Sequence, residues 1–200
     1  MPMTQELEIP YLSQTDNNYE PFSACNVTSL AMALKYCGIE GDGSYSQLED
    51  EIYHRAQQYG WNRFSPHGLK EICESYGAED DLTTDGTLAD IREAIEEDKP
   101  VIVHGFSTEP GHLWVIKGFD EDGFWVHDPY GELMAGMGSH SWYYQVNGNG
   151  MIYGENLHYS DRLIAATCGS WSYGQAHIMY NELTDSEMEG VENMWVHRIR

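Results

Sequence analysis

The chain has 200 residues, 10 of them Lys or Arg against 33 Asp or Glu, for a formal net charge of −23. That length is one domain's worth, able to bury roughly 70% of its unfolded surface without staples, and the charge disfavours nucleic acid or anionic lipid as partners, because binding there depends on neutralising phosphates. No apolar run nears the roughly 18 residues of a membrane span, and Met1-Pro2-Met3-Thr4-Gln5-Glu6 lacks the basic start and apolar stretch of an export signal, so a cytoplasmic location is expected.

In chain order, Glu8-Ile9-Pro10-Tyr11-Leu12 reads as a short extended opening, with its proline suited to a sheet edge. Residues 14–22 are polar and turn-like. Val27, Leu30, Leu34 and Cys37 then recur at helical spacing, and Gly38 stands where a left-handed C-terminal cap belongs. Three more amphipathic helices are predicted over 46–59, 66–76 and 87–97, the second opened by Pro66 and the third by a Thr87–Asp90 capping box. After Pro100 the character changes. Residues 101–106, 112–119 and 124–128 read as strands, the last two joined by Asp120-Glu121-Asp122-Gly123. Residues 130–159 are rich in glycine and aromatics with weak periodicity, as in a functional loop or flap. A short helix over 161–168 capped by Ser160, an acidic stretch, and a last strand over 194–199 complete the chain. Helices first and strands after make an α+β domain. The whole chain is expected to be one unit, with its core over about 8–131 and a closing extension over 132–200.

The four cysteines, Cys25, Cys37, Cys73 and Cys168, form no CxxC pair and no dense disulfide framework. Cys37 and Cys73 fall on apolar helix faces and Cys168 ends a helix, so all three read as small buried hydrophobes. Cys25 differs because it opens the first helix. There the backbone N–H groups point outward and the dipole is positive, which favours thiolate over thiol, the form a cysteine nucleophile needs.

His112 begins a strand directly after Gly111, and Leu113-Trp114-Val115-Ile116 behind it is core material. A titratable group at the mouth of a buried strand is well placed for general acid–base work. Asp128 closes the next strand. A hairpin turning around 120–123 sets a position between 128 and 131 opposite His112, where a carboxylate can accept the imidazole N–H and fix its tautomer. An oxyanion formed by attack on a carbonyl needs donors. The N–H of Cys25 is one candidate, and the amide of Gln14, just before the turn that leads to Cys25, is another.

These stretches together carry a resemblance: Tyr11-Leu12-Ser13-Gln14 with Asp16-Asn17, Cys25-Asn26-Val27-Thr28-Ser29-Leu30-Ala31-Met32, Pro100-Val101-Ile102-Val103-His104-Gly105, Gly111-His112 through Gly118-Phe119-Asp120, and Val126-His127-Asp128-Pro129-Tyr130-Gly131. Over about 8–131 the chain resembles the C39-like peptidases, a branch of the papain-like superfamily. The resemblance implies a papain-like fold, with a nucleophile-bearing helix packed on an antiparallel sheet. It also implies Cys25 as nucleophile, His112 as base and later acid, Asp128 as the residue that orients it, and Gln14 as oxyanion donor, with no cofactor or metal. Many members follow the nucleophile with Gly-Pro. This chain has Asn26-Val27, as in a stand-alone subgroup known from bacteria and phages, and it lacks the transporter segment joined to leader-cleaving members.

The expected substrates are peptide bonds, peptidoglycan cross-links among them. An acyltransferase or deamidase on the same dyad, and a non-catalytic binding protein of the same fold, are the alternatives. His127 should point away from Asp128, since side chains alternate along a strand, and reads as packing. His104, near His112 in sequence, could line the cleft but reads first as structural. Glu40, Asp42, Ser44 and Glu51 echo a calcium loop only loosely, without its central glycine. The aromatic run at 142–144 could cover the cleft or fill the core of the extension.

Overall fold

The computed structural model describes residues 4–136 and 142–200. Its first regular element is a two-residue strand, β1 (Gln5–Glu6), followed by tight 3-10 turns at Gln14–Asp16 and Pro21–Ser23. Four helices come next: α1 (Cys25–Tyr36), α2 (Leu48–Tyr59), α3 (Pro66–Glu74) and α4 (Leu88–Glu96), with the strand β2 (Asp80–Gly86) between the last two. The strands β3 (Val101–Gly105), β4 (His112–Phe119), β5 (Gly123–His127), β6 (Gly131–Met134), β7 (Tyr143–Val146) and β8 (Leu157–Ser160) follow. Three helices, α5 (Asp161–Cys168), α6 (Tyr173–Glu182) and α7 (Asp185–Glu189), then lead to β9 (Met194–Ile199).

One antiparallel sheet runs in the order β2-β9-β3-β4-β5-β8, with β1 added to the far end of β4, and β6 pairs with β7 in a separate hairpin. This is the mixed helix and antiparallel-sheet fold expected from the sequence. The C-terminal strand β9 lies inside the sheet, between β2 and β3. That position explains the fully buried Val196 and Ile199 in so acidic a stretch of chain.

Helix α1 is nearly surrounded. Val27, Leu30, Met32 and Leu34 have no exposed surface, and each such side chain contributes about 1.5–3 kcal/mol relative to exposure. The helix stops where its apolar spacing runs out: Cys37 caps it, and Gly38 takes the left-handed conformation at φ 81° that a side chain would strain. The capping box is present as well, since Thr87 Oγ1 accepts the Asp90 N–H at 3.1 Å and Asp90 Oδ2 accepts the Thr87 N–H at 2.7 Å.

The early strand sits elsewhere than the sequence suggests. It is Gln5–Glu6 that pairs, with Phe119 and Gly118, while residues 8–12 run outside any ladder and spend their polar groups on the sheet's end. The Ile9 carbonyl accepts from the ring of His127, and the Tyr11 hydroxyl donates to the Asp128 carbonyl at 2.7 Å. Strand β2 and helices α6 and α7 were not foreseen. The sequence of β2, Asp-Asp-Leu-Thr-Thr-Asp-Gly, has turn composition, and only its register on β9 makes it extended. Within 130–159, Gly131–Met134 and Tyr143–Val146 form the β6–β7 hairpin.

Candidate active site

Cys25 opens α1 with its N-cap at Ala24, so its backbone N–H belongs to the unsatisfied first turn of the helix. Two anchors fix that start. Asn17 Nδ2 donates to Thr28 Oγ1 at 3.0 Å, and the buried guanidinium of Arg63 donates to Asn26 Oδ1 at 2.7 Å, to Glu20 Oε2 at 2.6 Å and to the Ser23 carbonyl. Cys25 is a free thiol, 8% exposed, on the wall of a cavity of about 490 Å³. Gln14 and His112 line the same cavity.

Across the cavity His112 starts β4. Its Nε2 lies 2.7 Å from Oδ1 of Asp128, which stands one residue past the end of β5. The pairing of β4 with β5 runs Val115 to His127 and Ile116 to Val126. Continued to the strand ends, that register puts Asp128 across from Trp114, two residues diagonal to His112 and on the same face, within reach of an imidazole. With Nε2 committed to the carboxylate, Nδ1 is the ring atom left for Cys25. Burial works against the charged ring, but Asp128's charge and hydrogen bond, with a hydrogen bond and charge from Cys25, outweigh it and raise the His112 pKa to about 10. The structure thus joins the imidazole and the carboxylate predicted from the sequence and sets the sulfur on the same cavity as the imidazole.

Asp128 has no exposed surface, and its carboxylate collects further donors. Oδ1 also accepts the Tyr130 N–H at 3.0 Å, and Oδ2 accepts the Tyr144 hydroxyl at 3.1 Å and that of Tyr159 at 3.5 Å. Burial and the Asp128 charge hold the Tyr144 phenol well above its usual pKa, so it stays a donor. These tyrosines lie in the glycine- and aromatic-rich stretch. Of the 142–144 run, Trp142 is core, stacked on His177 at 4.1 Å, while Tyr144 serves the carboxylate. Only the run itself hinted at this; Tyr159 gave no signal.

Gln14 is buried, and its backbone N–H donates to the Pro129 carbonyl at 2.9 Å, tying the loop before α1 to the loop after Asp128. Its Nε2 gives one hydrogen to the Pro21 carbonyl at 2.8 Å and keeps a second; Oε1 has no partner among the described residues. Asn147, unforeseen, joins the same loops: Nδ2 donates to Tyr11 Oη, Ser13 Oγ and the Pro129 carbonyl, and Oδ1 accepts from the Tyr153 and Gly154 N–H groups.

The remaining candidates sort by their contacts. His127 is buried, with Nε2 2.9 Å from the Ile9 carbonyl and Nδ1 accepting the Asn156 N–H; burial pushes its pKa down to about 4, so it packs as a neutral ring. Burial pushes the Cys73 thiol upward and the Cys168 thiol up to about 12. Glu51 turns its carboxylate onto the Asp42 N–H and toward Arg55, and Asp42 accepts the Ser44 N–H. Among the described residues no group of three His, Cys, Asp or Glu could hold a metal ion, and no helix is long and apolar enough to cross a membrane.

The model of the Peptidase_C39 like family matches residues 6–150. Over 99% of this chain and 98% of the other, the fold is similar to the crystal structure of a protein described as a C39-like peptidase from Bacillus anthracis, at 14% identity and a TM-score of 0.54. A double glycine motif protease from an AMS/PCAT transporter, solved in complex with its leader peptide, aligns over 64% of this chain and 79% of its own at 22% identity and a TM-score of 0.40. No curated protein matches the chain.

Proposed function

The chain belongs to the Peptidase_C39 like family, a family of cysteine peptidases, and we propose that it hydrolyses peptide bonds with Cys25 as nucleophile, His112 as base and acid, Asp128 as the residue that orients His112, and Gln14 as oxyanion donor. The observation that carries this reading is the 2.7 Å contact of His112 Nε2 with the buried Asp128 carboxylate, with His112 and Cys25 lining the same cavity.

The chemistry follows from those positions. His112 Nδ1 takes the proton of Cys25, and the sulfur attacks the carbonyl carbon of the scissile bond. Negative charge then grows on the carbonyl oxygen. The Cys25 N–H and the second N–H of Gln14 Nε2, from two residues that line the same cavity, serve as its donors, and preorganised donors of this kind lower such barriers by about 3–4 kcal/mol each. The imidazolium, held by Asp128, passes its proton to the leaving amine as the C–N bond breaks, leaving a thioester on Cys25. Water, deprotonated by His112, attacks that thioester, and the carboxylic acid departs as the thiol is restored. No metal or cofactor enters these steps. The chain acts as one catalytic unit, since β8 and β9, from beyond residue 131, belong to the same sheet as His112.

The test is incubation of wild type and Cys25→Ala with a peptide library and with purified peptidoglycan, reading new termini by mass spectrometry. New amino termini from the wild type alone are the expected result, and the substrate that yields them separates general peptide cleavage from cross-link cleavage. Equal products from both proteins overturn the proposal. A competing amine in the same reaction separates hydrolysis from acyl transfer.

A further inference from the structure

Away from Cys25, the cavity wall carries a second chain of polar groups that the cleavage chemistry does not use. His104 lies on β3 next to Gly105, the residue paired with His112, and His197 lies on the neighbouring β9, paired with Ile102. The two Nε2 atoms are 2.9 Å apart, and Nδ1 of His197 is 2.6 Å from Oδ2 of Asp80 on β2. Asp80 and His197 are buried. The carboxylate therefore takes the Nδ1 hydrogen of His197, and the facing Nε2 atoms share one hydrogen between them. That leaves Nδ1 of His104. It has no hydrogen-bond partner among the described residues, yet it is not sealed from solvent, and His104 lines the cavity that holds Cys25.

The cavity lining includes Phe106, Leu113, Cys168 and Trp195, whose ring meets His104 edge-on at 5.4 Å, while the lining Ser170 and Asn193 donate to the Thr167 and Gly169 carbonyls. A largely apolar pocket with few placed polar atoms selects a side chain of matching form. Burial, then the charge of His197, pushes the His104 pKa well down, so the ring is neutral. No Asp or Glu lines the cavity among the described residues, so an ammonium group would enter without a counter-charge. A phenol both donates and accepts, and it satisfies Nδ1 whether or not that nitrogen carries the hydrogen.

We propose that His104, held by His197 and Asp80, is a specificity-determining residue that makes the cavity beside Cys25 select a tyrosine-like side chain, apolar with a hydroxyl tip, over phenylalanine. The inference rests on Cys25 being the nucleophile of a peptidase.

Peptidyl acyloxymethyl ketones of one backbone, carrying Tyr, Phe or Lys at the first or the second residue from the electrophile, test it against wild type and His104→Leu, with iodoacetamide as a control that needs no pocket. Labelling of Cys25 is followed by intact mass. The wild type is expected to react about tenfold faster with the Tyr probe than with the Phe probe at one of the two positions, the scale of one net hydrogen bond. His104→Leu is expected to bring that ratio to about one while iodoacetamide labelling stays unchanged. A wild-type Tyr-to-Phe ratio near one at both positions overturns the proposal without recourse to any variant. So does a ratio that survives in His104→Leu, or a preference for Lys. Failure of iodoacetamide to label Cys25 ahead of Cys37 and Cys73 overturns the peptidase reading itself, and this inference with it.

Discussion

Tyr144 donates its phenol hydrogen to Oδ2 of Asp128 at 3.1 Å, while His112 holds the other oxygen, Oδ1, at 2.7 Å. The same phenol oxygen is 2.8 Å from Ser107 Oγ, and the Tyr144 ring meets the His112 ring at 5.6 Å. One tyrosine thus fixes both the carboxylate that orients the histidine and one side of the histidine itself. Removing the hydroxyl leaves Oδ2, among the described residues, with only the longer contact to Tyr159.

For Tyr144→Phe we expect a folded protein that loses about 1.5–3 kcal/mol of stability, the net worth of a hydrogen bond to a charged group. Turnover should fall about three- to tenfold with KM little changed, because the group acts through Asp128 and not on substrate. Denaturant titration and steady-state kinetics on a peptide substrate read the two effects. Unchanged turnover would show that Asp128 is held well enough without this tyrosine.

Asp128→Asn keeps an oxygen that can accept the His112 N–H but removes the charge. Turnover is expected to fall about 100-fold, part of the range that a positioned acid–base group supplies, and to stay measurable. Asp128→Ala leaves the His112 ring and the Tyr144 and Tyr159 hydroxyls facing a void, and should cost about 3–5 kcal/mol in stability as well. Equal turnover in Asp128→Asn and wild type would remove Asp128 from the mechanism.

The sequence carried the parts of this site that are local. A helix start at Cys25 follows from the spacing of Val27, Leu30 and Leu34, and a hairpin from Asp120–Gly123 is enough to bring Asp128 to His112's end of the sheet. Long-range contacts were not legible. Tyr144, Tyr159 and Asn147 reach Asp128 or its loop from beyond residue 131 through pairings that no local periodicity encodes. The strand β2 escaped for the same reason, since its residues are turn formers that extend only against β9. Likewise the contacts of His104 with His197, and of His197 with Asp80, join residues far apart in sequence across adjacent strands.

The raised His112 pKa sets a pH dependence. The folded value, about 10, lies above the ordinary histidine value of 6.5. Its contribution to stability is therefore fully present below pH 6.5 and is lost as pH rises through about 10. The stability difference between wild type and His112→Ala should shrink across that window, read by chemical denaturation at a series of pH values. Peptide turnover should also fall as pH passes about 10, because His112 then lacks the proton owed to the leaving amine. A gap that stays constant from pH 6.5 to 10 would mean that the folded and unfolded forms hold this proton alike.

Gly154 lies against the backbone of Asp128, whose N–H donates to the Gly154 carbonyl at 2.8 Å. A Cβ built on Gly154 would stand 1.9 Å from the Asp128 carbonyl oxygen and 2.5 Å from the Tyr11 hydroxyl, which itself donates to that carbonyl. The first neighbour is backbone and cannot swing aside. In Gly154→Ala, either the 153–156 loop or the Asp128 loop must shift, and the short His112–Asp128 contact lengthens with the second. We expect a loss of about 1–3 kcal/mol, the usual range for overpacking, and a drop in turnover larger than that of Tyr144→Phe, since the whole carboxylate moves and not one of its donors. Thermal denaturation and turnover of Gly154→Ala, beside a surface control such as Gly174→Ala, where a Cβ meets no atom within 4 Å, separate this effect from the general cost of replacing a glycine. Wild-type turnover in Gly154→Ala would show that the Asp128 loop yields without moving its side chain.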